Sequence, residues 1–159
     1  MTRPDHKLAR RTLLKGASLG VGAGYAYATR SDRSHHGLYA NLEASLGFSP
    51  EWSLRGLVGL GEHPASPQLS RLTLAVEALY LVDVLELVPY AGIGLDALAS
   101  FGTQDQLAIG AHPVVGIDWL LDRSFLIGLS VRPIFLLNAL DHEPLYLTVS
   151  LTASWLLDL

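Results

Sequence analysis

Cysteine is absent from all 159 residues, which excludes disulfides, thiolate catalysis and cysteine-ligated metals. Charge is scarce as well. Asp, Glu, Lys and Arg make up 16% of the chain against 50% hydrophobic residues, and mean hydropathy is +0.32. A net charge of −4 removes any general attraction to nucleic acid. Long apolar runs are also missing. The longest uncharged stretches, Gly16–Thr29 and Pro144–Leu157, are fourteen residues each, short of the ~17–25 that a transmembrane helix requires. An apolar chain without a helical span has the composition of a membrane β-barrel, in which half of every strand is polar.

What the chain does have is alternation. Leu145, Leu147, Val149, Leu151, Ala153, Trp155, Leu157 and Leu159 form one row, and the residues between them are mostly polar. Period two means a strand with one apolar face. Upstream segments repeat the pattern: Ile93, Leu95, Ala97 and Ala99 in one, Ile127, Leu129, Val131 and Pro133 in another. Turn signals divide the chain into eight expected strands: Lys15–Ala28, Gly37–Phe48, Trp52–Gly61, Leu69–Val82, Leu87–Phe101, Leu107–Leu121, Phe125–Asn138 and Leu145–Leu159. Each reaches the ~9–11 residues that a tilted strand needs to cross a bilayer. The reading is an all-β fold, an eight-stranded antiparallel up-and-down transmembrane barrel over residues 15–159, preceded by a basic tail over 1–14. Proline interrupts two of these strands, at Pro113 and Pro133, where each removes a ladder donor.

Connections alternate in character. Phe48–Trp52, Val82–Leu87 and Leu121–Phe125 are tight, whereas 29–36, 62–68, 102–106 and 138–144 are more polar and mostly longer. Short turns on the periplasmic side and longer loops outside, with both termini periplasmic, are the outer-membrane arrangement. The aromatics sort the same way. Phe48, Trp52, Tyr80, Trp119, Phe125 and Trp155 share the outward phase near the short-turn end, which predicts an aromatic girdle at one membrane interface.

Three stretches, Gly20-Val-Gly-Ala-Gly-Tyr-Ala-Tyr27, Val88-Pro-Tyr-Ala-Gly-Ile-Gly-Leu95 and Trp155-Leu-Leu-Asp-Leu159, resemble the small eight-stranded outer-membrane barrels of Gram-negative bacteria, the family that includes the transmembrane domain of outer-membrane protein A. The resemblance spans about Lys15 to Leu159. It implies outer-membrane lipid as the surroundings and the barrel-assembly machinery as a partner in biogenesis. Trp155, Leu157 and Leu159 would then act as the assembly signal, with Leu159 standing where an aromatic is usual.

The inward rows are small or polar and carry ions: Glu43, Arg55, Glu77, Asp96, His112, Asp118 and Arg132. Pairing Leu60 with Leu72 sets Arg55 opposite Glu77, with Glu43 one diagonal away. Pairing Phe101 with Leu107, and Trp119 with Phe125, aligns Asp96, His112 and Arg132 in a row. Two compensated clusters are expected inside a bore just wide enough to be filled by side chains. Buried charges must be paired, and pairing fixes strand register, so these seven residues read as a structural plug.

No catalytic residue, metal or cofactor is expected. His35, His36, His63 and His142 are read as loop residues beside Asp32, Glu62, Asp141 and Glu143, without the spacing of a dedicated metal site. Serine and histidine do not come together on the apolar phase, which argues against a lipid A-modifying enzyme. The segment Ala9-Arg-Arg-Thr-Leu-Leu-Lys15 with its Gly/Ala-rich sequel looks like a twin-arginine export signal. Cleavage after Ala28 would leave seven strands, and bacterial barrels close with an even number, so the strand reading is preferred. The other classes left open are a soluble lipocalin-like carrier, in which the phases reverse and Asp96, His112 and Arg132 face solvent, and the enzyme. The expected role is structural or surface-interacting, with the loops over 29–36, 62–68, 102–106 and 138–144 as the contact surface.

Overall fold

The computed structural model describes residues 16–30, 33–64, 69–82, 87–102, 106–122, 124–139 and 144–157. The expected tail over 1–14, His142 and the terminal Leu159 lie outside the described residues. Eight antiparallel strands follow one another: β1 (Ala17–Arg30), β2 (Arg33–Gly47), β3 (Trp52–His63), β4 (Leu69–Leu81), β5 (Leu87–Gly102), β6 (Gln106–Leu120), β7 (Phe125–Leu136) and β8 (Leu145–Leu157). Each pairs with its sequence neighbours, and β8 pairs with β1 to close the barrel. Closure removes both sheet edges, so no row of backbone donors is left unpaired. Starting at Leu19 and stepping through Ala44, Gly56, Val76, Leu95, Ala111 and Phe135 to Leu145, the partners lead back to Thr29, whose hydroxyl bonds the Leu145 backbone. That stagger of ten residues, from Leu19 to Thr29, is what tilts the strands against the barrel axis.

The strand count agrees with the alternation, but the bounds of two connections do not. The expected loop over 29–36 is mostly strand. Pairing runs through Tyr27↔His36 and Ala28↔His35 up to Arg30↔Arg33. Its side chains are polar on both faces, which hid the extension from a reading that required one apolar row. Backbone pairing makes no such demand once the strand rises past the apolar band. Glu62 and His63 likewise belong to β3, not to a loop.

The two mid-strand prolines stand directly across from each other. The β6–β7 ladder is intact at Ala111↔Phe135 and again from Val115↔Val131, and is interrupted between, where Pro113 faces Pro133. Both outer ladders continue through them, at Ile93↔Pro113 and Pro133↔Leu147. The two missing N–H groups thus fall in one seam at one level, so one site of the ladder opens instead of two.

Glycine has different reasons in different rows. A Cβ on Gly24 would run into the Val149 carbonyl and the Ser150 Cα at the β1–β8 closure. Gly56, on the outer face of β3, has open space where its Cβ would be. Gly24→Ala is therefore expected to destabilise the barrel by about 1–3 kcal/mol, as overpacking does, and Gly56→Ala to leave it unchanged. Urea titration of the detergent-folded protein distinguishes the two. Equal midpoints would mean that the closure is looser than the backbone approach implies.

Inside, an apolar layer at the loop end (Tyr39, Leu98, Ile134, Leu136, Tyr146 and small alanines) lies above a mid-height polar layer. A smaller group of Leu79, Leu81, Val88, Tyr90 and Val114 lies towards the short turns.

Candidate functional site

The polar layer is built by residues that alternate inward around mid-height, Glu43 on β2, Arg55 on β3, Glu77 on β4, Asp96 on β5, His112 on β6 and Arg132 on β7, with Asp118 of β6 nearer the short turns. Glu77 is fully buried and stands at its centre. Its Oε1 accepts from Arg132 Nε at 2.6 Å and lies 3.1 Å from His112 Nε2; its Oε2 is 3.7 Å from Arg55 Nη1. The other ring nitrogen of His112, Nδ1, is 2.6 Å from Asp96 Oδ2. Glu43 Oε2 sits 3.8 Å from Arg55 Nη1 and 3.6 Å from Arg132 Nη2, and Asp118 Oδ2 lies 3.9 Å from Arg55 Nη2. Neutral groups complete the shell. Arg55 donates to the Tyr90 hydroxyl (3.1 Å) and lies over that ring, while Arg132 donates to Ser130 and Ser150, themselves 2.9 Å apart.

All seven expected ions thus come together, but as one network instead of two clusters. The Arg55↔Glu77 pairing is as expected, with Glu43 diagonal to Arg55. Two registers differ by two residues. Asp96 pairs with Gly110, and His112 with Gly94, because Ser100↔Gln106 is the last β5–β6 pair and Phe101 pairs with β4 alone. His112 therefore reaches Asp96 across a diagonal. Ala111↔Phe135 puts His112 level with Ile134, not Arg132. The cause is the β6–β7 turn, where the Leu121 and Asp122 amides both donate to the Phe125 carbonyl and Asp122 Oδ1 accepts from the Ser124 amide. That Asp-centred turn fixes Trp119 opposite Ile127 and leaves Phe125 to pair with Trp155. Arg132 joins His112 only through Glu77.

Several inner residues were not singled out by the sequence. Tyr39, Tyr90 and Tyr146 are buried and lie where a Cβ on Gly59, Gly116 and Gly61, respectively, would be. Inner glycines thus make room for inner tyrosines. Their phase was the available signal, since each falls on the polar side of its strand. Arg71 is also buried near the loop end. It donates to Ser100 (3.1 Å), and its guanidinium lies over the Tyr146 ring at 4.6 Å.

The histidines correct the loop reading. His35 and His63 are buried on the inner face, and His36 lies on the outer face of β2, hydrogen-bonded to the Tyr25 hydroxyl. Ser34 shares that outer face and accepts from the Tyr27 hydroxyl at 3.2 Å, so serine and histidine do stand near each other outside, contrary to expectation. Each is engaged by a tyrosine, and no Ser–His hydrogen bond joins them among the described residues. Nor do the described residues place three His, Asp or Glu side chains around a metal position.

Chemically, four carboxylates facing two guanidiniums and one imidazole tie six strands together across the bore. Among the described residues, buried apolar side chains lie on both sides of them. At the short-turn end a recess of about 40 Å³ reaches Glu43, Arg55 and Asp118, with room for water but not for a solute. Outside, Phe48, Trp52, Tyr80, Trp119 and Trp155 are exposed at that same end, with Phe125 half-buried. Trp52 packs edge-on to Tyr80 (5.3 Å between centroids) and Phe125 to Trp155 (5.5 Å).

No family model and no curated protein matches the sequence. Solved structures do match. Neisserial surface protein A (NspA) superposes with a TM-score of 0.78 at 15% identity, covering 90% of this chain and 98% of NspA. Ail, the attachment invasion locus protein of Yersinia pestis, gives 0.61 at 14%, covering 89% and 98%. The outer membrane enzyme PagL gives 0.53 at 13%, covering 87% and 99%. The fold is that of the small eight-stranded outer-membrane β-barrels.

Proposed function

We propose that the chain is a non-enzymatic outer-membrane barrel, both termini periplasmic, with a plugged lumen and a structural or surface-contact role exercised at its loop end. One observation carries this reading: the polarity of the molecule is inverted. Leu38, Ile93 and Leu95 are 77%, 71% and 67% exposed on the outer wall, while Asp96, His112 and Arg132 are 4%, 2% and 1% exposed inside. A water-soluble carrier requires the opposite arrangement, with an apolar cavity and ions outside. Lipid is the solvent that matches a continuous apolar outer face. The aromatic ring at the short-turn end then marks the periplasmic interface, and Trp155 and Leu157 belong to the segment that the assembly machinery would read.

The filled bore supports a structural role over conduction. The separate engagement of Ser34 and His36 by Tyr27 and Tyr25 favours the non-enzymatic reading over lipid A hydrolysis, although PagL shares the fold. The test is extraction and electrophoresis of the expressed chain. Detergent-dependent solubility with a band that changes mobility on boiling is the expected result, because a folded barrel resists detergent until heated. A monodisperse protein without detergent would overturn the membrane reading. Release of acyl chains from lipid A by the folded protein would overturn the non-enzymatic part alone.

A further inference from the structure

The outer wall is not evenly convex. A groove of about 910 Å³ crosses it between two adjacent outward rows, within the range of small-molecule sites (about 300–1,000 Å³). Its course follows the ladder row Trp155, Leu19, Ala44, Gly56, Val76 and Leu95, and its far bank includes Val21, Leu42, Val58 and Leu74. The depression lies where Ala44 and Gly56 stand side by side, and Gly56 is the glycine whose missing side chain leaves nothing but open space. Among the described residues, no packing explains a glycine there.

The course of the groove selects its occupant. Trp155 is two residues from the short-turn end of β8, Gly56 four from that end of β3, and Leu95 eight from that end of β5. The row therefore climbs obliquely from the aromatic ring to mid-height. Five strand spacings make it about 24 Å long, and with strands tilted ~40° it rises about 15 Å. That is about half of a ~30 Å hydrocarbon core. A groove that starts at the headgroup level and ends at the bilayer centre has the length and direction of one acyl chain. A second copy fits it less well, because a two-fold axis would set hollow against hollow and leave both empty.

We infer that this groove holds one acyl chain of a phospholipid from the leaflet on the short-turn side, with Trp155 at its headgroup end and Ala44 and Gly56 as its floor. The inference rests on the membrane reading above.

The experiment refolds the full chain into phosphatidylethanolamine–phosphatidylglycerol vesicles, confirms the heat-modifiable band, extracts in mild detergent and counts phospholipid phosphorus per chain after gel filtration. Gly56→Leu and Ala44→Leu each fill the floor from a different strand, and Ala91→Leu is an outward control away from it. Retention of one phospholipid by the parent and by Ala91→Leu, with loss in both floor variants, is the expected result. Equal retention in all four proteins, or none in any, would overturn the inference and leave the membrane reading intact. A lipid-free dimer that Gly56→Leu converts to monomer would overturn it in favour of a second copy. Failure of the parent to fold in vesicles would overturn both.

Discussion

Glu77→Ala is expected to destabilise the folded barrel by about 3–5 kcal/mol, the range for removing one partner from a buried ionic pair. Among the seven ions of this layer, only Glu77 contacts all three of the layer's cations, through Arg132 Nε, His112 Nε2 and Arg55 Nη1. Without it, Arg132 keeps one carboxylate, Glu43, at 3.6 Å, and two guanidiniums face each other in a closed, low-dielectric bore. Glu43→Gln is the control. Its carboxylate contacts both arginines, but only at 3.6–3.8 Å, so its loss is expected to be the smaller of the two. Adding Arg132→Met to Glu77→Ala is expected to restore part of the stability, because the stranded charge is removed with its partner. Urea unfolding in vesicles, followed by tryptophan emission, reads all four proteins. A Glu77→Ala loss within about 0.5 kcal/mol, the range of an ordinary exposed substitution, would mean that the layer is wet and not a plug.

The contrast between Glu77 and His112 shows how far a sequence can be read. Period two assigns every residue a face, and a face survives a register error of two residues. All seven ions could therefore be placed in the lumen without knowing the turns. Which ion meets which depends on turn geometry. The β3–β4 register came out because apolar partners, Leu60 and Leu72, identified it. The β6–β7 register did not, because the Asp122–Ser124 hydrogen bond sets the turn one residue later than a Trp119–Phe125 pairing requires. Tyr90 and Tyr146 lie on the polar phase of their strands, but a tyrosine inside a barrel needs a glycine nearby to accept it. Gly116 beside Tyr90 is adjacent in register, whereas Gly61 and Tyr146 meet across the lumen from β3 and β8. Long-range pairing of that kind leaves no mark in the local pattern. The Ser34–Arg33 stretch was lost for the opposite reason: it has no apolar row at all, and its strand character comes from its partners on β1.

Leu151→Arg separates the membrane reading from every soluble alternative by its energy alone. Leu151 is 58% exposed on the outer face at the midpoint of β8, between Ala23 of β1 and Leu129 of β7. In water, an arginine there would shift stability by no more than about 0.5 kcal/mol, as exposed substitutions do. In a bilayer, the same guanidinium must enter hydrocarbon or drag water to mid-depth, at a cost of about 2–4 kcal/mol. Depth is the second coordinate of the test. Leu157→Arg, on the same face at the short-turn end, lies where the aromatic ring puts the interface, and its expected cost is about 0–1 kcal/mol. Urea midpoints in vesicles should therefore fall steeply for the first variant and little for the second. A large loss at both positions would mean that the outer wall packs against protein along its whole height. No loss at either would mean that water, not lipid, surrounds it. Only the graded result requires a low-dielectric slab whose edge coincides with Trp52, Trp119 and Trp155.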